Sequence, residues 1–236
     1  MRDSSSFDGV VLDIEGTTTP VSFVYDVLFP YARTHLDAYL AQVTGAPELD
    51  EVRNLLRNEW QKETDPTRPS GPWTDDTLPV FVEWLMERDR KSPGLKLLQG
   101  LIWQRGYDDG SLKGIVYADV RPALERWRRA SKIIAIYSSG SVLAQHLIFG
   151  KSNDGDLTSL IDRYFDTGVG AKRSAESYAR IATELKRPGS ALLFISDVAA
   201  ELDAATQAGF QTLLCVRGEG TPDSHYRTIT SFDEIE

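Results

Sequence analysis

Two rhythms of apolar residues alternate along this chain. Short unbroken apolar runs occupy Gly9-Val-Val-Leu-Asp13, Ile133–Tyr137, Ala191–Ile195 and Thr212–Val216. Runs of that length suit strands buried on both faces, as in a parallel sheet. Between them apolar positions recur at helical spacing. This predicts a helix starting near Pro122, with Leu124 and Trp127 on one face, and another from about Val142. It predicts a third over Ser174–Leu185 with Ser174 as its cap, and a fourth over Ala199–Ala208 that stops at Gly209. Strands alternating with helices imply an α/β fold, a parallel sheet with helices on both faces.

The stretch from about 23 to 117 has a different character. Leu28, Ala32, Leu36, Tyr39 and Val43 recur at helical spacing. So do Leu49, Val52, Leu56 and Trp60, then Leu78, Val82 and Leu85 with Pro79 in the first turn, then Leu95, Leu98 and Ile102. Proline-rich loops such as Asp65–Pro72 separate the pieces. Four of the five tryptophans (60, 73, 84 and 103) fall here, which is most simply a small helical core. The first strand finds no partner until after residue 117. The simplest organisation is therefore an α/β core of residues 1–22 and 118–236, with residues 23–117 inserted as a helical domain. The polar stretch Arg121–Lys132 reads as a solvated helix face.

Composition narrows the chemistry. The 236 residues suit one domain or two small ones. No run approaches the ~18 apolar residues of a membrane span. The opening residues lack the basic-then-apolar pattern of a signal peptide, so a soluble cytoplasmic protein is expected, with no membrane partner. Acidic residues number 35 against 26 basic, a net charge of −9 that argues against a nucleic-acid partner. The single cysteine, Cys215, excludes an intrachain disulfide and a Cys-rich zinc site, and its apolar run makes it a core residue. The three histidines, at 35, 146 and 225, are scattered. Any metal must then be held by carboxylates, which points to magnesium or a similarly hard cation.

Four short constellations lie next to strand ends, where open α/β sheets place their ligands. Asp13-Ile-Glu15-Gly-Thr-Thr18 sets two carboxylates two residues apart. The first could attack phosphorus, and the second could protonate the leaving oxygen and then activate water. Gly16 allows close backbone approach. Ser138-Ser-Gly-Ser141, between a strand and a helix, offers hydroxyls and free amides to an anion. Lys172, before the Ser174 helix, could balance the charge of a phosphate and a carboxylate nucleophile. Asp197, after the strand 191–195, could ligate magnesium, with Glu201 one turn on as an outer partner that orients water or Lys172. Each segment alone has an ordinary reading: an acidic strand-to-loop turn at Asp13, helix capping at Ser138–Ser141 and at Ser196 or Asp197, and a solvated lysine at Lys172. All four in chain order make that reading improbable.

These segments resemble the four motifs of the haloacid dehalogenase (HAD) superfamily of phosphohydrolases. Asp13-Ile-Glu15 replaces the commoner Asp-x-Asp, a variant similar to the enolase-phosphatases of methionine salvage. Val27–Ala32, Leu98–Trp103, Leu112–Val120, Tyr137–Val142, Lys172 with Ser177-Tyr178, and Ile229–Phe232 agree. The resemblance implies a HAD-like (Rossmann-type) core with an inserted helical cap that closes over the site. It implies a bifunctional enzyme with one magnesium ion per chain, converting 2,3-diketo-5-methylthiopentyl-1-phosphate to an acireductone plus phosphate. Carried over by position, Asp13 and Glu15 are catalytic. Asp13, Glu15 and Asp197 form the magnesium site, with Glu15 offering its backbone carbonyl. Ser138, Ser139 and Lys172 bind substrate. Glu15 is the first choice for the enolisation base, which the residues themselves leave open. Trp103, Tyr107 and Phe23 could touch the methylthio tail, but core packing is the simpler expectation for each. The chain is read as a monomer. Two alternatives remain: a HAD-type phosphatase for another small ester, and a receiver-like signalling module, to which a helical domain of ~95 residues would be superfluous.

Overall fold

The computed structural model describes residues 6–43, 45–218 and 225–236. The first five residues of the segment read above for a leader lie outside them. The chain forms two compact units, Met1–Phe23 with Lys113–Glu236, and Val24–Leu112.

The first unit is built on six parallel strands: β1 (Gly9–Leu12), β2 (Ile133–Tyr137), β3 (Arg163–Phe165), β4 (Leu192–Ser196), β5 (Gln211–Cys215) and β6 (Thr228–Ile229). Their order is β3-β2-β1-β4-β5-β6. Strand β1 is central, with Val11 opposite Ala135 on one side and Phe194 on the other. The order reverses between β1 and β4, which opens a crevice at the carboxyl ends of these strands. Alternation along the strands feeds two cores. Val11, Ala135, Tyr137 and Phe194 pack with Tyr178, Ile181 and Leu202. Val10, Leu12, Ile134, Ile136 and Ile195 point to the other face and are equally buried. This accounts for the unbroken apolar runs.

The second unit contains four helices, α1 (Phe29–Gln42), α2 (Pro47–Lys62), α3 (Thr77–Glu87) and α4 (Pro93–Asp109), after a π-helical segment Phe23–Leu28. Prolines occupy the first turns of α1, α2 and α4, where a missing N–H costs nothing. Ser92 caps α4 by accepting from the Leu95 N–H, and Gly110 ends it in the left-handed region. The tryptophans form the expected core. Trp60 meets Phe81 edge-on at 5.1 Å and Trp73 at 5.7 Å, and Phe81 stacks on Trp84. Trp103 is buried and donates from Nε1 to the Leu28 carbonyl at 2.7 Å. Tyr107 is buried too, so packing accounts for both residues, and Phe23 is equally buried in the first unit.

Back in the first unit, α5 (Val120–Arg129), α6 (Val142–Gly150), α7 (Ala175–Leu185) and α8 (Ala199–Gln207) link the strands. The basic side of α5 is solvated as expected of Arg121–Lys132 at Arg128 and Arg129, but several of its cations also bind the chain. Arg121 donates to the Asp154 carbonyl, and Arg128 pairs with Asp162 at 2.7 Å. Arg126 holds the Phe232 and Ile235 carbonyls, and Lys132 holds the Phe7 carbonyl. Long cationic side chains here satisfy loop carbonyls that would otherwise lack donors. Among the described residues, no helix is long and apolar enough to cross a membrane.

Candidate active site

Asp13 follows β1 directly and is 3% exposed. Its backbone N–H continues the ladder to the Ile195 carbonyl at 3.0 Å, so the sheet itself aims the side chain into the crevice. Oδ1 accepts from the Ile14 N–H at 2.7 Å and from Lys172 Nζ at 2.6 Å, while Oδ2 accepts from Ser196 Oγ at 3.0 Å. The chain then turns tightly. The N–H groups of Thr17, Thr18 and Thr19 all reach the Ile14 carbonyl, and the Gly16 N–H reaches that of Thr19. Gly16 has φ +69°, and a Cβ there would lie 2.1 Å from Asp197 Oδ2. Only glycine satisfies both the backbone and the space. Glu15 is half-buried in this turn and bridges Thr19 through the backbone.

Lys172 is drawn in by its loop. Tyr137 Oη donates to the Gly170 carbonyl, Ser177 Oγ to that of Ala171, and Tyr178 Oη to that of Lys172 itself. Three consecutive carbonyls are thus fixed from β2 and α7. The ammonium pairs with Asp13 and, at 2.7 Å, with Glu201 Oε2. Burial works against its charge, but the two carboxylates outweigh this and hold it protonated above the ordinary lysine range. The opposite holds for Glu201. Burial and the Asp13 charge raise its carboxyl, and Lys172 offsets them only in part. Ser196 Oγ lies 3.0 Å from Asp13 and 3.1 Å from Glu201, so its single proton serves one carboxylate at a time.

Asp197 retains an exposed edge, yet its carboxyl is pushed up to about 6 by partial burial and by the Asp13 charge. Ser138 is buried at the end of β2, with its N–H on the Phe165 carbonyl and its hydroxyl on the Gly140 N–H; Ser139 beside it is half-buried. The structure therefore brings Asp13, Lys172 and Glu201 into direct contact and sets Asp197 against their turn. It leaves Ser138 and Ser139 at the end of the adjacent strand.

The donor set fits a hard divalent cation. Asp13 and Asp197 are oxygen donors whose negative charges already raise one carboxyl, and the close approach of Gly16 keeps a methyl out of the space. Among the described residues, no three His, Cys, Asp or Glu side chains converge as a metal cluster.

The haloacid dehalogenase-like hydrolase family model matches residues 7–209. The chain is 48% identical over 233 residues to Enolase-phosphatase E1 of Synechococcus elongatus, covering 98% of each chain. The chain belongs to the enolase-phosphatases of the haloacid dehalogenase-like hydrolases. It is also 46% identical to the Enolase-phosphatase E1 of Klebsiella oxytoca, covering 96% of this chain and 95% of that one. The UTR4 protein of Saccharomyces cerevisiae superposes with a TM-score of 0.79 at 34% identity, over 97% and 99% of the two chains. The expected HAD-like parallel sheet with a helical insertion is thus the fold of this enolase-phosphatase.

Two residues escaped the sequence reading of this enolase-phosphatase. Ser196 ends β4, and its hydroxyl accepts the Val198 N–H just before α8 while it also lies between the two carboxylates. Gln145, fully buried on α6, ties the Ser138 loop down by donating to the Gly140 and Phe165 carbonyls. A lone glutamine within an apolar helix was its only signal.

Proposed function

We propose that the chain is a bifunctional, magnesium-dependent enzyme that enolises 2,3-diketo-5-methylthiopentyl-1-phosphate and then hydrolyses the phosphate ester. The products are 1,2-dihydroxy-3-keto-5-methylthiopentene and phosphate. The observation that carries this reading is the buried Asp13 carboxylate at the end of β1, with Lys172 on one oxygen and Ser196 on the other. That carboxylate is aimed and fixed, as a nucleophile must be. Asp13, Asp197 and the Glu15 backbone carbonyl would hold the cation, whose charge would favour phosphate binding and acidify the carbon next to a carbonyl.

In this reading Glu15 first removes a proton from the carbon that carries the phosphate, and the adjacent carbonyl becomes an enolate. Glu15 is left protonated, the form needed for the next step. Asp13 then attacks phosphorus, the bond from phosphorus to the ester oxygen breaks, and Glu15 returns its proton to that oxygen. Water, deprotonated by Glu15, finally cleaves the aspartyl-phosphate and restores Asp13, and the proton left on Glu15 passes to the enolate oxygen. Lys172 holds Asp13 and balances the incoming phosphate, while Ser138 and Ser139 bind the phosphate from the end of β2. Glu201 holds Lys172 in place.

The test follows the diketo phosphate by absorbance and by released phosphate, with and without magnesium, beside a panel of common phosphate esters. An enol signal that precedes phosphate release, on the diketone alone and only with magnesium, is expected. Phosphate release from ordinary esters without an enol signal would move the function to a HAD-type phosphatase of another small ester.

A further inference from the structure

We infer that Arg217, paired with Asp119, is a positioning residue for phosphoryl transfer: it fixes the turn that carries Asp13, Glu15 and Gly16 through a two-pronged hold on the Thr17 carbonyl. This rests on the function proposed above.

The amides of Gly16, Thr17, Thr18 and Thr19 are satisfied within the turn, by the carbonyls of Ile14 and Thr19. Its outward carbonyls need donors from elsewhere, because Thr17 and Thr18 are fully buried. Thr18 O accepts the Tyr117 N–H at 3.0 Å. Thr17 O accepts from both Arg217 Nε, at 3.1 Å, and Arg217 Nη2, at 2.9 Å. A planar guanidinium donating twice to one oxygen fixes its direction as well as its distance, which a lysine ammonium cannot do.

The guanidinium is itself immobilised. It lies between the rings of Tyr117, at 4.4 Å, and Phe232, at 4.7 Å. Nη1 donates to the Thr230 carbonyl and pairs with Asp119 Oδ2 at 2.7 Å, and both side chains of the pair are about nine-tenths buried. The same Asp119 oxygen accepts from Ser231 Oγ and from the Phe232 N–H at 2.6 Å. Burial opposes the Asp119 charge, but Arg217 and these donors prevail and hold the carboxyl below the usual aspartate range. The C-terminal segment is pinned in turn by the Ser231–Glu234 capping box. A chain of fixed groups therefore runs from the C-terminal segment to a carbonyl two residues from Glu15 and one from Gly16, whose Cα abuts Asp197. Arg217 acts on the chemistry through that backbone.

The experiment compares Arg217→Lys with wild type in the full chain. It measures kcat and KM on the diketo phosphate at saturating magnesium, melting temperature, and the magnesium concentration that half-maximally shifts melting. Lysine keeps the charge opposite Asp119 and loses the fork. Expected are a melting temperature within about 3 °C of wild type, an unchanged KM, a kcat lowered about tenfold, and a raised magnesium midpoint. A folded variant with wild-type kcat and magnesium midpoint overturns the inference. So does a loss of rate that only tracks the folded fraction. If Arg217→Lys does not fold, Asp119→Asn decides: a smaller loss of kcat at constant KM supports the role, and wild-type kcat in folded protein overturns it. A wild type that releases no phosphate from the diketone would instead overturn the proposed function and leave the geometry to be tested on another ester.

Discussion

The two units of this enzyme bury aromatic residues alike and bury polar groups very differently. Among the described residues, the helical unit hides only Ser92 and Gln99 as buried polar side chains, and no charged residue. The α/β unit buries Asp13 and Glu201, with Lys172 and the Asp119–Arg217 pair almost as deep. Desolvating charge is costly unless every charge is paired and hydrogen-bonded. In the α/β unit each is: Asp13 and Glu201 by Lys172, with the one Ser196 proton shared between them, and Asp119 by Arg217 and Phe232. An apolar core would serve the fold as well, as the helical unit demonstrates. The charges in the α/β unit are retained at the strand ends, where proposed chemistry and sheet topology coincide.

The contrast is broken most severely at Asp13. Asp13→Asn keeps the shape and one acceptor for Lys172, which retains Glu201 as its ionic partner. Phosphate release is expected to fall about a thousandfold or more while the melting transition stays cooperative. Near-normal turnover in folded Asp13→Asn would remove it as nucleophile. The helical unit should respond in the opposite way. Phe81 is fully buried among Trp60, Trp73 and Trp84, and Phe81→Ala is expected to cost about 3–5 kcal/mol. Chemical denaturation would measure that cost. Turnover of a small phosphate ester per folded molecule should not change; a selective loss of kcat there would erase the distinction between the units.

Asp197 adds a pH dependence of definite sign. Its carboxyl titrates near 6 in the fold, above the ordinary value of about 4. Between those values the folded chain keeps a proton that the unfolded chain has released. Stability therefore falls as pH rises through that window. Asp197→Asn removes this term. Without metal, the variant should melt above wild type beyond pH 6 and match it below roughly pH 4. Added magnesium should raise the melting temperature of wild type and leave the variant nearly unmoved. A magnesium shift of wild-type size in the variant would exclude Asp197 as a ligand.

What the sequence disclosed follows the same division. Strands buried on both faces must be apolar runs, so β1, β2, β4 and β5 were visible within a residue or so. The three-residue β3 and two-residue β6 are too short to carry a pattern, and both lie at sheet edges. Asp13 and Asp197 announced themselves by chemistry at strand ends, and Lys172 by its place before a helix. The contacts between them did not, because Asp13 meets Lys172 across 159 residues of chain. Ser196 did not stand out, since a serine before a helix has an ordinary use there, and it does accept the Val198 N–H. Arg217 and Asp119 carried no local signal at all; their pairing spans 98 residues and exists only through the fold. Ser174 stands at the start of α7 as expected, but its side chain makes no capping bond.

The finest test uses two matched serines. Ser92 caps α4 in the helical unit by accepting the Leu95 N–H at 2.9 Å, and Ser141 caps α6 in the α/β unit by accepting the Ala144 N–H at 3.3 Å. Alanine at either place removes the same kind of bond and should cost about 1 kcal/mol, a melting change of a few degrees. Their surroundings differ. Ser141 ends the loop that begins at Ser138, where the free amides of a helix start are proposed to receive the phosphate. Losing its cap lets the first turn of α6 fray and loosens the loop held by Gln145 and Phe165. Ser141→Ala should therefore raise KM for the phosphate substrate several-fold with kcat little changed. Ser92→Ala, at equal or greater loss of stability, should leave KM at the wild-type value. Equal KM values in the two variants would show that the loop after β2 is a structural cap and that the phosphate is bound elsewhere.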